Sequence, residues 1–186
     1  MLERYPRHIT LKDGTKILLK PMEKGDGEKL WQFFQEIPEE DKIYFKDDVT
    51  RKETIMAWEE KLDYEKVLPI LAWDGDRVVG DATLHRRKKG WKSRVGDVRV
   101  VIHKDYRSKG LGTALIRELK SIASRTALNY LVAEIIEDQK SAIAAFEKMG
   151  FEFKARYEDF VTDWKGKTHN LVVLVYPLFD VSEIYY

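Results

Sequence analysis

Two glycines at 110 and 112, preceded by Arg107 and Lys109, make the run Arg107-Ser108-Lys109-Gly110-Leu111-Gly112-Thr113 a place to hold phosphate. It lies between a strand-like stretch ending near His103 and a helix-like stretch beginning at Leu111. The first N–H groups of a helix have no internal partners, and the helix dipole makes that end positive. Glycines there let a phosphate approach the backbone. The run is not a P-loop, because no Gly-Lys-Ser/Thr follows at the required spacing, and it lacks the third glycine of the dinucleotide fingerprint. An anionic, phosphate-bearing cofactor is the functional reading. The plain alternative is a glycine-capped turn that only packs a helix onto a sheet.

Composition narrows the chemistry. The 186 residues contain no cysteine, which removes disulfides, thiolate metal sites and a cysteine nucleophile together. No metal-ligating cluster stands out, so no metal is expected. A net charge of +1 carries no nucleic-acid footprint. No apolar run is long enough to span a bilayer and the first residues have no apolar signal core, so no membrane partner and a cytoplasmic location are expected. The charge is uneven along the chain. Glu36 to Glu65 holds eleven acids against five bases, and Arg86 to Arg94 holds six bases and no acid. Each reads either as a solvated face or as a wall that attracts an oppositely charged partner.

The elements that must position the glycine turn follow from periodicity. Ile9 to Met22 alternates around Asp13-Gly14, a hairpin turn pair. Leu30, Phe33, Phe34 and Ile37 share a helix face that Pro38 ends. Thr50 with Glu53 has the spacing of a capping box for a second helix through Leu62. Val67–Trp73, Arg77–His85 and Arg94–His103 read as strands. Leu111, Leu115, Leu119 and Ile122 share a helix face, and Tyr130–Ile136 is a buried-type strand. A helix over Ser141–Met149 closes on Gly150, and Phe151–Val161 and Thr168–Leu178 read as strands. Residues 1–186 read as one mixed α/β domain, its core spanning 9–178 and its last eight residues forming a tail.

This order, with two motifs at family spacing, resembles the GNAT N-acetyltransferase superfamily. Arg107, Gly110 and Gly112 match its acetyl-CoA pyrophosphate loop. Gln139, Ala142, Phe146, Glu147, Lys148, Gly150 and Phe151 match a second signature, in which Asn and Tyr are usual at the first and third of these positions. The resemblance is loosely nearest to GNAT domains that acetylate protein lysines. It implies a central, mostly antiparallel sheet of about seven strands flanked by about four helices. It also implies acetyl-CoA as co-substrate, an amine-bearing acceptor (a protein lysine, a polyamine or a small amino compound) and a homodimer as one possible assembly. By the same resemblance, Arg107, Ser108, Lys109, Gly110, Leu111, Gly112 and Thr113 would wrap the pyrophosphate. Val100, Val101 and Ile102 on the fourth strand would pair with the pantetheine amides, with Gln139 and Phe146 beside the arm.

The implied reaction is direct attack of a neutral amine on the acetyl carbonyl, which requires a base. Asp97 matches the position where lysine acetyltransferases of this kind carry a catalytic Glu. Asp97 is either that base or half of a structural pair with Arg99, two residues on. Asp81 is the second candidate, followed by Glu134 and Glu137. His85 and His103 could also act near neutral pH, but lone histidines at strand ends more often read as surface residues. Phe146 has no proton to give a departing thiolate. That departure, with Gln139, leaves open a CoA-binding module without turnover, or a donor with a longer acyl chain. The acidic Glu36–Glu65 segment covers the acceptor side and points to a cationic amine, with Trp31, Phe34, Tyr44, Phe45 and Trp58 available to line its pocket.

Overall fold

Alternation around Asp13-Gly14 produces two strands, β1 (Arg7–Thr10) and β2 (Lys16–Pro21), turned at Gly14 with φ +87°. The structure, a computed structural model, describes residues 2–179, so the expected tail beyond Phe179 lies outside the described residues. The apolar stripe Leu30, Phe33, Phe34 lies on α1 (Gly27–Gln35). A one-turn helix α2 (Glu39–Lys42) and α3 (Lys52–Glu60) follow. Then come β3 (Val67–Asp74), β4 (Arg77–His85), β5 (Val95–Ile102), α4 (Leu111–Ala123), β6 (Tyr130–Ile136), α5 (Lys140–Lys148), β7 (Glu152–Thr162) and β8 (Thr168–Pro177). All eight strands form one sheet in the order β1-β2-β3-β4-β5-β6-β8-β7.

Two details differ from expectation. The count is eight strands and five α-helices among the described residues, because the opening alternation is a pair of strands and the stretch after Pro38 makes one helical turn. Thr50 does not cap α3: it hydrogen-bonds Asp48, and the helix starts two residues later without a side-chain cap.

The sheet separates two cores. Leu111, Leu115, Leu119 and Ile122 of α4 pack with Ala82, Leu84, Leu131 and Phe146 on one face. Phe33, Phe34, Ile37 and Ile55 pack with Leu71 on the other. Each such side chain contributes about 1.5–3 kcal/mol by leaving water. Buried Glu118 on α4 gathers Arg4, Tyr5 and Arg7, which ties the start of the chain to the first core.

Among the described residues only the β5–β6 pair is parallel, and it is short: Val95↔Tyr130, Gly96↔Leu131 and Asp97↔Val132. Beyond Asp97, β5 stays with β4 while β6 stays with β8 through Ile136. The sheet therefore opens at its middle. Gly96 sits at the root of the opening, where a Cβ would lie 2.8 Å from Leu128, 2.9 Å from Leu84 and 3.1 Å from Leu131. These side chains are buried together and cannot swing aside. Gly96→Ala is expected to cost about 1–3 kcal/mol through overpacking, read as a lowered urea midpoint with an unchanged slope.

Candidate functional site

The opening exposes one edge of β5. The His103 N–H donates to the Val79 carbonyl, on the β4 side. Backbone groups alternate in direction along a strand. Arg99 and Val101 therefore point their backbone at β4, where Val101 stands opposite Asp81, while Val100 and Ile102 turn theirs into the gap, the Ile102 carbonyl accepting there from the Arg107 Nε–H at 3.4 Å. Of the three strand residues proposed for an arm, Val100 and Ile102 present backbone to the opening and Val101 presents only its side chain.

At the end of β5 a 3-10 turn, Lys104–Tyr106, leads into the glycine run. Ser108 and Gly110 adopt left-handed backbone, with φ of +61° and +92°. Gly110 is the N-cap of α4 and carries no side chain to close its first turn, which also has no acidic residue. The N–H groups of Leu111, Gly112 and Thr113 are thus left to an external acceptor, although the Leu111 side chain is fully buried core. The loop is braced from the first hairpin: the Lys12 N–H donates to the Lys109 carbonyl and Lys109 pairs with Asp13 at 2.9 Å.

The gap continues into a cavity of about 670 Å³ that runs from β5 and α5 to α1 and α3. Gln139, Ala142 and Phe146 form its α5 wall, and Asp81, Thr83, His85 and Arg99 its sheet floor. Phe34, Tyr44, Phe45 and Trp58 line the helical side, while Trp31 packs only into the second core. Phe146 is mostly buried, its ring 4.9 Å from Phe151.

Asp81 is 8% exposed, and burial pushes its carboxyl up to about 6, against the opposing pull of the Thr83 hydroxyl (3.1 Å) and the Arg99 charge. His85 is pushed down to about 4, first by burial and then by Arg99. Asp97 stands opposite His85 in the β4–β5 ladder but is not part of the cavity wall. The Asp97–Arg99 pair does not form: Arg99 turns to Asp47 at 2.7 Å. Glu134 lines the cavity and holds Lys46 at 2.6 Å. Glu137 is committed to Arg156 and Asn170, which hold its carboxyl down at about 2. His103 is a buried residue rather than a surface one. It accepts from the Asp105 N–H and lies 3.1 Å from Glu36.

The acidic segment is not an acidic rim. Of its carboxylates only Asp47 and Asp63 line the cavity, and both face cations, Arg99 and Lys66. Glu59 accepts from the Gly25 and Gly27 N–H groups, and Glu36 pairs with Arg77. Sequence patterning missed what the residues after α1 do: Asp41 binds Arg107 at 2.5 Å, Lys46 reaches β6 and Asp47 reaches β5. This strap crosses the opening and ties both separated strands to the glycine loop. The six-base Arg86–Arg94 stretch is peripheral, with Lys88 paired to Glu65 and Trp91 fully exposed.

Residues 30–151, more than half of the chain, match the model of the acetyltransferase (GNAT) family. The chain belongs to that family. The mycothiol acetyltransferase of Corynebacterium efficiens is 34% identical over 93 residues, which cover 47% of this chain and 29% of that protein. The chain thus spans under a third of that curated relative. Among solved structures, the GNAT domain of S. lividans PAT matches with a TM-score of 0.78 at 18% identity, covering 92% of this chain and 96% of that one. The yncA protein of Salmonella typhimurium, solved with its cofactor acetyl-CoA, matches with a TM-score of 0.75 at 18% identity, covering 88% and 95%. At these identities the likeness shows the GNAT fold. No helix among the described residues is long and apolar enough to cross a membrane. No group of three or more His, Cys, Asp or Glu among them is placed to hold a metal.

The Asp81 environment sets a pH dependence of stability. Its folded pKa lies above the unfolded value, so the folded state holds this proton more tightly between about pH 4 and 6. The stabilisation it gives is complete below pH 4 and is lost as pH rises through about 6. Asp81→Asn is expected to gain stability relative to wild type across that window. By pH 7 the gain is about 2–3 kcal/mol, read as the difference between the two melting curves at each pH.

Proposed function

We propose that this protein transfers an acetyl group from acetyl-CoA to a primary amine. One observation carries the reading: the β5 edge left open beyond its short ladder with β6, around Val100, leads to the open, uncapped N-terminus of α4. A molecule with amides at one end and a diphosphate at the other fits that track. Backbone N–H groups from Ser108 to Thr113, with Arg107 and Lys109, would hold the diphosphate. The β5 edge would take the pantetheine amides as an added strand would, with Gln139 and Phe146 along the opposite wall.

When bound, acetyl-CoA supplies an activated thioester. The chain's own residues then have to orient the amine, take its proton and exclude water. Asp81 would take the proton, a role supported by its burial, its position on the cavity and a carboxyl raised to about 6. A carboxyl at that value is a stronger base than an exposed aspartate and is still ionised at neutral pH. Asp97, outside the cavity wall, has a structural place in the strand. The N–C bond forms as the C–S bond breaks, and the sulfur leaves as a thiolate that solvent protonates, because Phe146 has no proton to give.

Thiol release from acetyl-CoA across a panel of amines tests this. Asp81→Asn is expected to lower kcat about 100-fold or more and to remove an acid limb near pH 6, while Asp97→Asn changes the rate less than about threefold. Failure of wild type to release thiol with any amine overturns the reading.

The strap adds a binding prediction. Asp41 partly neutralises the guanidinium that a diphosphate would use, so the two compete for its charge. Asp41→Asn is expected to lower the Kd for CoA about threefold to tenfold, and Arg107→Ala to raise it, both by titration calorimetry.

A further inference from the structure

Between β4 and β5 the chain makes two consecutive turns. The Ser93 N–H donates to the Gly90 carbonyl at 2.9 Å and the Val95 N–H to the Lys92 carbonyl at 3.1 Å, with Gly90 left-handed at φ +89°. These hydrogen-bonded turns hold Trp91 in water, 95% exposed, against 66% for Trp164, the next most exposed large apolar side chain among the described residues. A single exposed indole is ordinary. This one stands among unpaired cations.

Lys88 takes Glu65, and the Arg86 guanidinium donates to the Tyr64 carbonyl. Arg87, Lys89 and Lys92 are exposed and have no acidic partner among the described residues. The stretch from Arg86 to Arg94 holds no acid of its own, so positive potential gathers around Trp91 instead of cancelling. In the strap, by contrast, Asp41, Lys46 and Asp47 each have a partner of opposite charge. The turn is also fixed beside one end of the cavity. The Arg86 N–H donates to the Lys66 carbonyl at 2.6 Å, and Lys66, Val67 and His85 line that end.

We infer that the Arg86–Arg94 turn is a docking surface for an acidic segment of an acceptor protein, held there while a primary amine further along that segment enters the cavity. This rests on the acetyl-transfer reading and deepens it. Arg87, Lys89 and Lys92 meet the carboxylates, and the Trp91 indole covers the apolar parts of the segment. The occupant has to supply acid to the turn and a primary amine to Asp81, and a protein segment carries both. The amines of a nucleic acid are attached to its rings and weakly nucleophilic, and its backbone asks for a longer row of cations than one turn of a chain with net charge +1. A bilayer presents amines only at its plane, whereas Asp81 is 8% exposed on the cavity floor. From Asp81 to His85 the strand spans about 13 Å, which an extended peptide covers in about four residues. The acidic block therefore stands at least that far from the amine.

The probe is a dye-labelled peptide of about twelve residues, with one lysine and a block of glutamates beginning about four residues from it. A control peptide has glutamines in their place. Fluorescence anisotropy with the CoA-saturated protein is expected to show the acidic peptide bound at least about tenfold more tightly, its affinity falling as salt rises. Replacing the three unpaired cations together (Arg87→Gln, Lys89→Gln, Lys92→Gln) is expected to lose about tenfold in affinity, and Trp91→Ala about threefold to tenfold. Thiol release from acetyl-CoA should show the same losses in kcat/KM for the acidic peptide, while kcat/KM for phenethylamine stays unchanged in both variants. Equal binding of the two peptides by wild type, or an acidic peptide held as tightly by the triple variant, overturns the inference and leaves the acetyl-transfer reading standing. So does tighter binding of a single-stranded oligouridylate, or of phosphatidylserine vesicles, than of the acidic peptide at the same salt. If no amine, peptide or small, releases thiol, both fall.

Discussion

Three residue pairs hold β5 to β6, and then the strands separate. Nearly everything functional in the molecule follows from that early end to a ladder. A parallel pair that ran its full length would satisfy the backbone of β5 on both sides and leave no track for a ligand. Each separated strand keeps one partner, β4 or β8, so the opening costs hydrogen bonds on one edge only. Gly96 makes the root compact, because Leu84, Leu128 and Leu131 close on the space its missing side chain leaves.

The strap is the counterpart of the opening. Asp41, Lys46 and Asp47 reach the glycine loop, β6 and β5 in turn. Exposed ion pairs of this kind are individually weak. Tyr44 and Phe45 sit on the same segment and line the cavity. Arg107 is therefore tied through Asp41 to the segment that carries two aromatic residues of the cavity wall.

Electrostatics separates the carboxylates that share this region. Asp81 is raised because burial removes water and the Thr83 hydroxyl and the Arg99 charge do not fully replace it. Glu137 is lowered because Arg156 and Asn170 bind it directly. Both were open as bases from residue type alone. Their different environments set them apart: Asp81 stays buried at the cavity without a cation, and Glu137 holds β6 against the β7–β8 hairpin.

Local pattern was enough to read the element order, the glycine run and the family signature around Gln139 and Phe146, since periodicity, turn residues and short spacings are properties of neighbouring residues. It was also enough to name Asp81 and Asp97 as alternatives. Both lie on strands and carry the same chemistry; what the fold adds is that Asp81 lines the cavity and Asp97 does not. Long-range pairing decided the rest. Arg99 meets Asp47, 52 positions away, instead of Asp97, and Arg107 meets Asp41 across 66. The acidic stretch read as a rim is largely spent on caps and ion pairs elsewhere. Charge counted along a chain says how many carboxylates a segment owns, and only the folded contacts determine which of them still face a ligand.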